Sequence, residues 1–274
     1  MPCWRCVVRL ERVRAGVLRP SLLSVAATLG ASLAWAPPAH ADDSAPVYAF
    51  GAGVNIMPGW SGSRTQYASP VPYFDIEIPG RLSLSSNSGL QVDLIRGKTL
   101  HGGLYGGYEW GREYDDMGAI AGRMPSLSPR FDAGGYLEWQ VTKNVDVGSD
   151  LSHDLDGATT YWKLYAEWDL PSVGYFQHSL QLQWQALDGA GMQRLYGVTP
   201  AQAARLGIPT WRPGAGAQQA SLEYDVFMPT SRNTGIAAAL RCSYLLGNAA
   251  ESPLVRRFGT PWQPSASLAF VYHY

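Results

Sequence analysis

From about residue 48 onward, apolar and polar side chains alternate with a period of two, the spacing at which successive residues of an extended chain project to opposite faces. In the stretch 161–170, Trp162, Leu164, Ala166, Trp168 and Leu170 share one face, and Tyr161, Lys163, Tyr165, Glu167 and Asp169 the other. The next run repeats the pattern, with Phe176, Leu180, Leu182, Trp184 and Ala186 opposed by Gln177, Ser179, Gln181, Gln183 and Gln185. A helix would scatter both sets around its circumference. Similar runs at 48–57, 73–78, 81–85, 90–96, 100–110, 131–141, 145–155, 218–228, 234–246 and 265–274 predict about twelve strands in all. An even number of antiparallel strands suits an all-β, closed transmembrane barrel.

The connections sharpen that expectation. If the first strand begins in the periplasm, every second connection should be a tight turn, as at Ile78-Pro79-Gly80, Gly97-Lys98-Thr99, Thr142-Lys143-Asn144, 171–174 and 229–233. The opposite end receives the four longest connections, 58–70, 111–130, 188–217 and 247–264, with short exceptions at Asn87-Ser88-Gly89 and Asp156-Gly157-Ala158. Short periplasmic turns and long extracellular loops mark an outer-membrane barrel, and a soluble β-sandwich has no reason to show them. One loop segment reads as helix: Thr199 as N-cap, Pro200 at the first position, Gln202 at the third and Gly207 as stop predict a short helix over 200–206.

Composition agrees. With 30 Gly, 15 Tyr and 10 Trp but only 16% charged residues, the chain suits aromatic-rich strands meeting lipid. Past residue 41 no apolar run approaches the ~18 residues a spanning helix needs. Residues 1–41 read as a cleaved signal peptide: Arg5, Arg9, Arg12, Arg14 and Arg19 precede an apolar run over 22–35, and Ala39-His40-Ala41 fits a small-x-small cleavage site. Asp42 then starts a single barrel domain over 42–274. An N-terminal anchor is the competing reading, weakened by the short run and by Pro37-Pro38. Cleavage moves the formal charge from -1 to about -5. An acidic chain makes a poor nucleic-acid binder. Cys3 and Cys6 depart with the signal, leaving Cys242 as a small apolar filler.

The apolar face of these strands suits lipid, and the opposite face is mainly acidic. Asp75, Glu77, Asp93, Glu109, Asp132, Glu138, Asp146, Asp150, Glu167, Asp169, Glu223 and Asp225 are expected to face inward, against Arg81, Lys163 and Arg241. That lining fits either a cation-preferring channel or a lumen filled by paired side chains; about twelve strands lie between small filled barrels and wide porins, and we favour a narrow or occluded lumen. Trp110, Tyr161, Trp168 and Trp184 read as interfacial girdle. Leu268, Phe270, Tyr272 and Tyr274 share a face at the end of the chain and resemble the aromatic signal read by the barrel insertion machinery.

No catalytic, cofactor or metal motif stands out. Gly51-Ala52-Gly53 lacks the third glycine of a dinucleotide loop and reads as a place where backbones curve. In Ser152-His153-Asp154, strand neighbours project to opposite faces, so a triad would need partners from other strands. His101, His178 and His273 are dispersed.

Several stretches resemble one family in order and spacing from about residue 48 to the end. Pro58-Gly59-Trp60-Ser61-Gly62-Ser63, followed by Pro70-Val71-Pro72-Tyr73, is similar to its Y-x-G-S first loop. Leu195-Tyr196-Gly197-Val198-Thr199-Pro200-Ala201-Gln202-Ala203 resembles Y-Y-G-V-[ST]-x-x-Q-A, with Leu195 at the first Tyr. Tyr244-Leu245-Leu246-Gly247-Asn248-Ala249-Ala250-Glu251-Ser252-Pro253-Leu254-Val255 resembles its L-x-x-D-A-x-x-S-P-[IL] segment, with Asn248 at the usual Asp. The aromatic C-terminus completes the likeness, which is to the MltA-interacting protein (MipA) and OmpV family of outer-membrane proteins. The resemblance implies a non-enzymatic barrel in the Gram-negative outer membrane. It implies a scaffold that brings a lytic transglycosylase together with a bifunctional murein synthase, or else a role in osmotic or stress responses or adhesion. It attributes no catalytic residues.

Overall fold

A computed structural model describes residues 46–86 and 89–274. The expected signal peptide, including Ala39, Ala41 and Asp42, lies outside the described residues, as do Asn87 and Ser88. The strands are β1 (Val47–Pro58), β2 (Gln66–Ile78), β3 (Leu82–Ser85), β4 (Gly89–Arg96), β5 (Leu100–Glu109) and β6 (Arg130–Thr142). They continue with β7 (Val145–Asp154), β8 (Thr160–Val173), β9 (Phe176–Leu187), β10 (Gly216–Pro229), β11 (Thr234–Leu245) and β12 (Trp262–His273). Each pairs with its sequence neighbours, and β1 pairs antiparallel with β12 from Ala49↔His273 to Ile56↔Ala266, which closes a twelve-stranded barrel. Closure satisfies the backbone groups that an open sheet edge would leave bare in lipid.

The alternation in sequence becomes a difference between the two faces of the wall. Val54, Leu104, Leu137, Leu151, Leu164, Leu182, Leu222, Leu240 and Leu268 are exposed on the outside. Aromatic side chains flank that band: Trp110, Phe131 and Trp262 near the long loops, and Trp139, Trp168, Tyr272 and Tyr274 toward the short turns. Trp162 and Trp184 meet edge to face, with ring centroids 5.5 Å apart. Tyr161 departs from the girdle expectation. Its odd position in β8 turns it inward, where it is buried and its hydroxyl donates to Asp154 at 3.0 Å.

Two other expectations need correction. The 58–70 connection is shorter than its prolines suggested, because β2 begins at Gln66 and carries Pro70 and Pro72 within it. Strand β3 meets β2 only over Asp75–Ile78. Phe74 still accepts from the Ser86 N–H at 2.9 Å, so positions of its parity, including 70 and 72, turn their backbone groups toward the side where β3 has ended. Proline is tolerated there because it has no N–H to satisfy. Second, the outer loops hold more helix than the one expected. That one, α2 (Pro200–Leu206), forms as read, with a Thr199/Gln202 capping box and Gly207 in the left-handed conformation at φ 66°. It is accompanied by α1 (Gly189–Tyr196), α3 (Gly247–Glu251), α4 (Pro253–Phe258) and a 3₁₀ turn at Gly118–Ile120.

Candidate functional site: the barrel interior and its outer cap

Inward-facing residues sort into three layers. Toward the short-turn end, Ala49, Tyr73, Phe227, Ala237, Ala239, Ala269 and Val271 form a buried apolar cluster. Above it lies a charged belt. Arg241 donates through Nε to Glu223 at 2.7 Å and through Nη2 to Gln183 at 3.2 Å, Lys163 meets Asp150 at 2.5 Å, and Gln181 donates to Glu167 at 3.0 Å. The Tyr165 hydroxyl donates to Glu138 at 2.6 Å, and that of Tyr136 donates to Asp93. The Tyr165 ring lies across a glycine of the neighbouring strand, Gly148, with which it pairs. A Cβ on Gly148 would approach the Tyr165 ring to 2.3 Å, so the glycine is what lets the ring lie flat inside the wall.

Asp132, Asp150, Glu223, Asp225 and Arg241 are buried on this face, and Asp75, Glu77, Asp93, Glu109, Glu138, Lys163 and Glu167 are half-buried there. Arg81 lies instead in the exposed turn after β2. Removing one partner of a buried pair such as Glu223–Arg241 would strand the other charge, at a cost of about 3–5 kcal/mol.

The third layer is a cap made by the long loops. Trp60 from the first loop, Met117, Ile120 and Met124 from the β5–β6 loop, Met192, Tyr196, Val198 and Leu206 from the β9–β10 loop, and Leu254 and Val255 from the β11–β12 loop share one buried apolar cluster. Tyr196 sits at its centre. Its hydroxyl shares a hydrogen bond with Ser61 Oγ at 2.5 Å and accepts from Gln218 Nε2 at 3.0 Å, while its carbonyl accepts from Ser252 Oγ at 2.8 Å. Burial pushes the Tyr196 phenol up to about 12. Gln263 ties the first loop down, accepting from the Gly62 N–H at 2.8 Å and donating to the Ser63 carbonyl at 3.2 Å.

The loop motifs had carried no assignable role in the sequence, and the cap supplies one. Leu195 packs against the apolar cluster. Asn248 donates to the Gly214 carbonyl at 3.3 Å, and its own carbonyl accepts from the Trp211 indole at 3.3 Å. The signal that could have found the cap was the recurrence of Trp, Met and Tyr in loops, where polar residues are the rule.

The remaining candidates do not converge. Ser152 and Asp154 are buried on the inner face, whereas His153 is exposed on the outer one, 3.0 Å from Thr160 Oγ1. Asp154 is held by Arg130 at 2.5 Å. His101, His178 and His273 lie on β5, β9 and β12. Phe270, Tyr272 and Tyr274 are exposed on the outside, where Tyr274 stacks on Tyr48 with centroids 5.4 Å apart.

Comparison with solved structures finds similarity to a bacterial polysaccharide outer membrane secretin, with TM-score 0.39 and 9% identity over 84% of this chain and 98% of that one. The NanC porin has TM-score 0.37 and 9% identity over 83% and 99% of the two chains. The outer membrane protein OprD from Pseudomonas aeruginosa has TM-score 0.30 and 8% identity over 86% and 96%. No curated protein matches the chain. Residues 50–274 match the family described as MltA-interacting protein MipA, and this chain, a twelve-stranded barrel of the Gram-negative outer membrane, belongs to that family.

Proposed function

We propose that this barrel, exported behind a cleaved segment 1–41, is a non-enzymatic scaffold at the cell envelope that brings murein-cleaving and murein-synthesising enzymes together. The observation that carries the reading is the interior. An apolar cluster on β10, β11, β12, β1 and β2, a belt of paired charges and an outer cap all project into the barrel, which favours its surfaces as the working parts. The family's description supports a lytic transglycosylase as one partner. The resemblance in sequence suggests a bifunctional murein synthase as the second.

The short turns face the compartment where murein lies. Four of them carry an exposed basic residue, Arg81, Lys98, Lys143 or Arg232, on a chain that is otherwise acidic. Such a fringe steers an acidic partner toward the periplasmic face. Photocrosslinkers placed at Lys98, Lys143 and Arg232 should capture the transglycosylase and the synthase, and reversing those charges to Glu should weaken capture. A probe at Arg212 in the cap should capture neither. Absence of both enzymes at every turn position would rule the scaffold out.

A narrow cation-preferring pore, serving osmotic or stress responses, is the second reading, favoured by the acidic belt. It requires the Asp150–Lys163 and Glu223–Arg241 pairs to open a path. An adhesin would act through the outer surface of the cap.

A further inference from the structure

The side of the cap carries an open pocket of about 350 Å³ that plays no part in the scaffold reading. It is bordered by the β5–β6 loop, the outer end of β6, the β7–β8 loop and the helical β9–β10 loop, and Arg112, Arg130, Arg194, Thr159, Gln193 and Gln202 line it. Three guanidinium groups therefore converge on one space in an acidic protein. Arg130 is neutralised by Asp154 at 2.5 Å. Among the described residues, Arg112 and Arg194 form no ion pair.

Their hydrogen bonds leave most of their donors unused. Arg194 donates to the Ser128 carbonyl at 2.5 Å, and Arg112 donates through Nη2 to the Pro125 carbonyl at 3.3 Å. Arg112 is only 4% exposed, yet its Nε has no partner. Its position is fixed by a backbone bridge to Leu127, with N–H···O distances of 2.8 and 2.9 Å. A buried cation facing a second cation is costly unless an anion joins them. Burial and the nearby Arg194 push the Arg112 guanidinium down to about 10, the direction a bound anion would reverse.

We propose that this pocket binds a small hydroxylated anion, a sugar bearing a phosphate or carboxylate, with Arg112 and Arg194 holding the charged group and Gln193 and Gln202 meeting the hydroxyls. Guanidinium groups suit these planar or tetrahedral oxyanions because they can donate two parallel hydrogen bonds. The volume falls at the small end of ligand pockets, about 300–1,000 Å³. The same chemistry is available from a free sugar acid and from the phosphorylated sugar headgroup of an outer-leaflet lipid.

Residues 42–274 refolded in detergent can be titrated calorimetrically with glucose 1-phosphate, glucuronate and uncharged glucose. In parallel, thermal unfolding can be followed in nanodiscs containing lipid A or dephosphorylated lipid A. Binding of a charged sugar, but not of glucose, supports the site with a soluble ligand; stabilisation by lipid A alone, lost on dephosphorylation, supports it with a lipid ligand. Either effect should weaken about ten- to hundredfold in Arg194→Gln and in Arg112→Gln, each checked for a folded barrel by heat-modifiable migration. No preference for any charged probe, or a preference unchanged in the folded variants, would overturn the proposal.

Discussion

Tyr196 shows how one side chain can order a set of loops. Its ring fills the centre of the cap, and its hydroxyl and carbonyl link the first loop, the start of β10 and the loop before β12 through Ser61, Gln218 and Ser252. Tyr196→Phe keeps the ring but leaves the buried Gln218 Nε2 without its acceptor, which should cost the cap about 1–3 kcal/mol. The expected readout is faster tryptic cleavage after the exposed Arg205 and Arg256, with the strand content unchanged by circular dichroism. The same residue gives the cap a pH limit. Its folded pKa, about 12, lies above the ordinary 10, so its contribution to stability is complete below about pH 10 and is lost as pH rises through about 12. Cleavage rates measured across that window should rise in the native protein and respond less in Tyr196→Phe.

The strands make a different demand, which is set by the solvent outside them. Leu182 lies midway along β9, exposed on the outer face and paired with Leu222. Leu182→Arg should destabilise the barrel by about 2–4 kcal/mol in reversible denaturant unfolding from phospholipid, the cost of Arg near the bilayer midplane. A water-exposed site would change by no more than about 0.5 kcal/mol, and a value that small would deny that this band meets lipid.

At this scale the sequence is most informative where a local rule decides the outcome. Period-two alternation locates the strands, and the Thr199-Pro200 start with Gly207 as stop locates α2. Helix α4 has a comparable local start in Ser252-Pro253, with Ser252 Oγ accepting from the Leu254 N–H at 3.3 Å. Helix α1 opens with Gly189-Ala190-Gly191, a weak helix former held by Asp188 and by tertiary packing, and α3 has no side-chain cap. The early start of β2 was hidden by its own prolines, whose tolerance depends on where β3 stops.

For the whole molecule, the decisive property is what fills the barrel, and this was only partly legible. Alternation assigns Asp150, Lys163, Glu167, Glu223 and Arg241 to the polar face, but it gives no distance across the lumen. The reach of Tyr165 over Gly148, and the gathering of four loops into one apolar cap, arise only when separate strands and loops are brought together. The apolar cap over the outer mouth and the belt of paired charges below it lead us to expect a closed barrel, despite its acidic interior. The most direct test is planar-bilayer recording from refolded, heat-modifiable protein of residues 42–274. The expected result is no stepwise current at either polarity. Steady cation-selective steps, diminished in an Asp150→Asn, Glu167→Gln double variant, would contradict a closed barrel and make conduction its function.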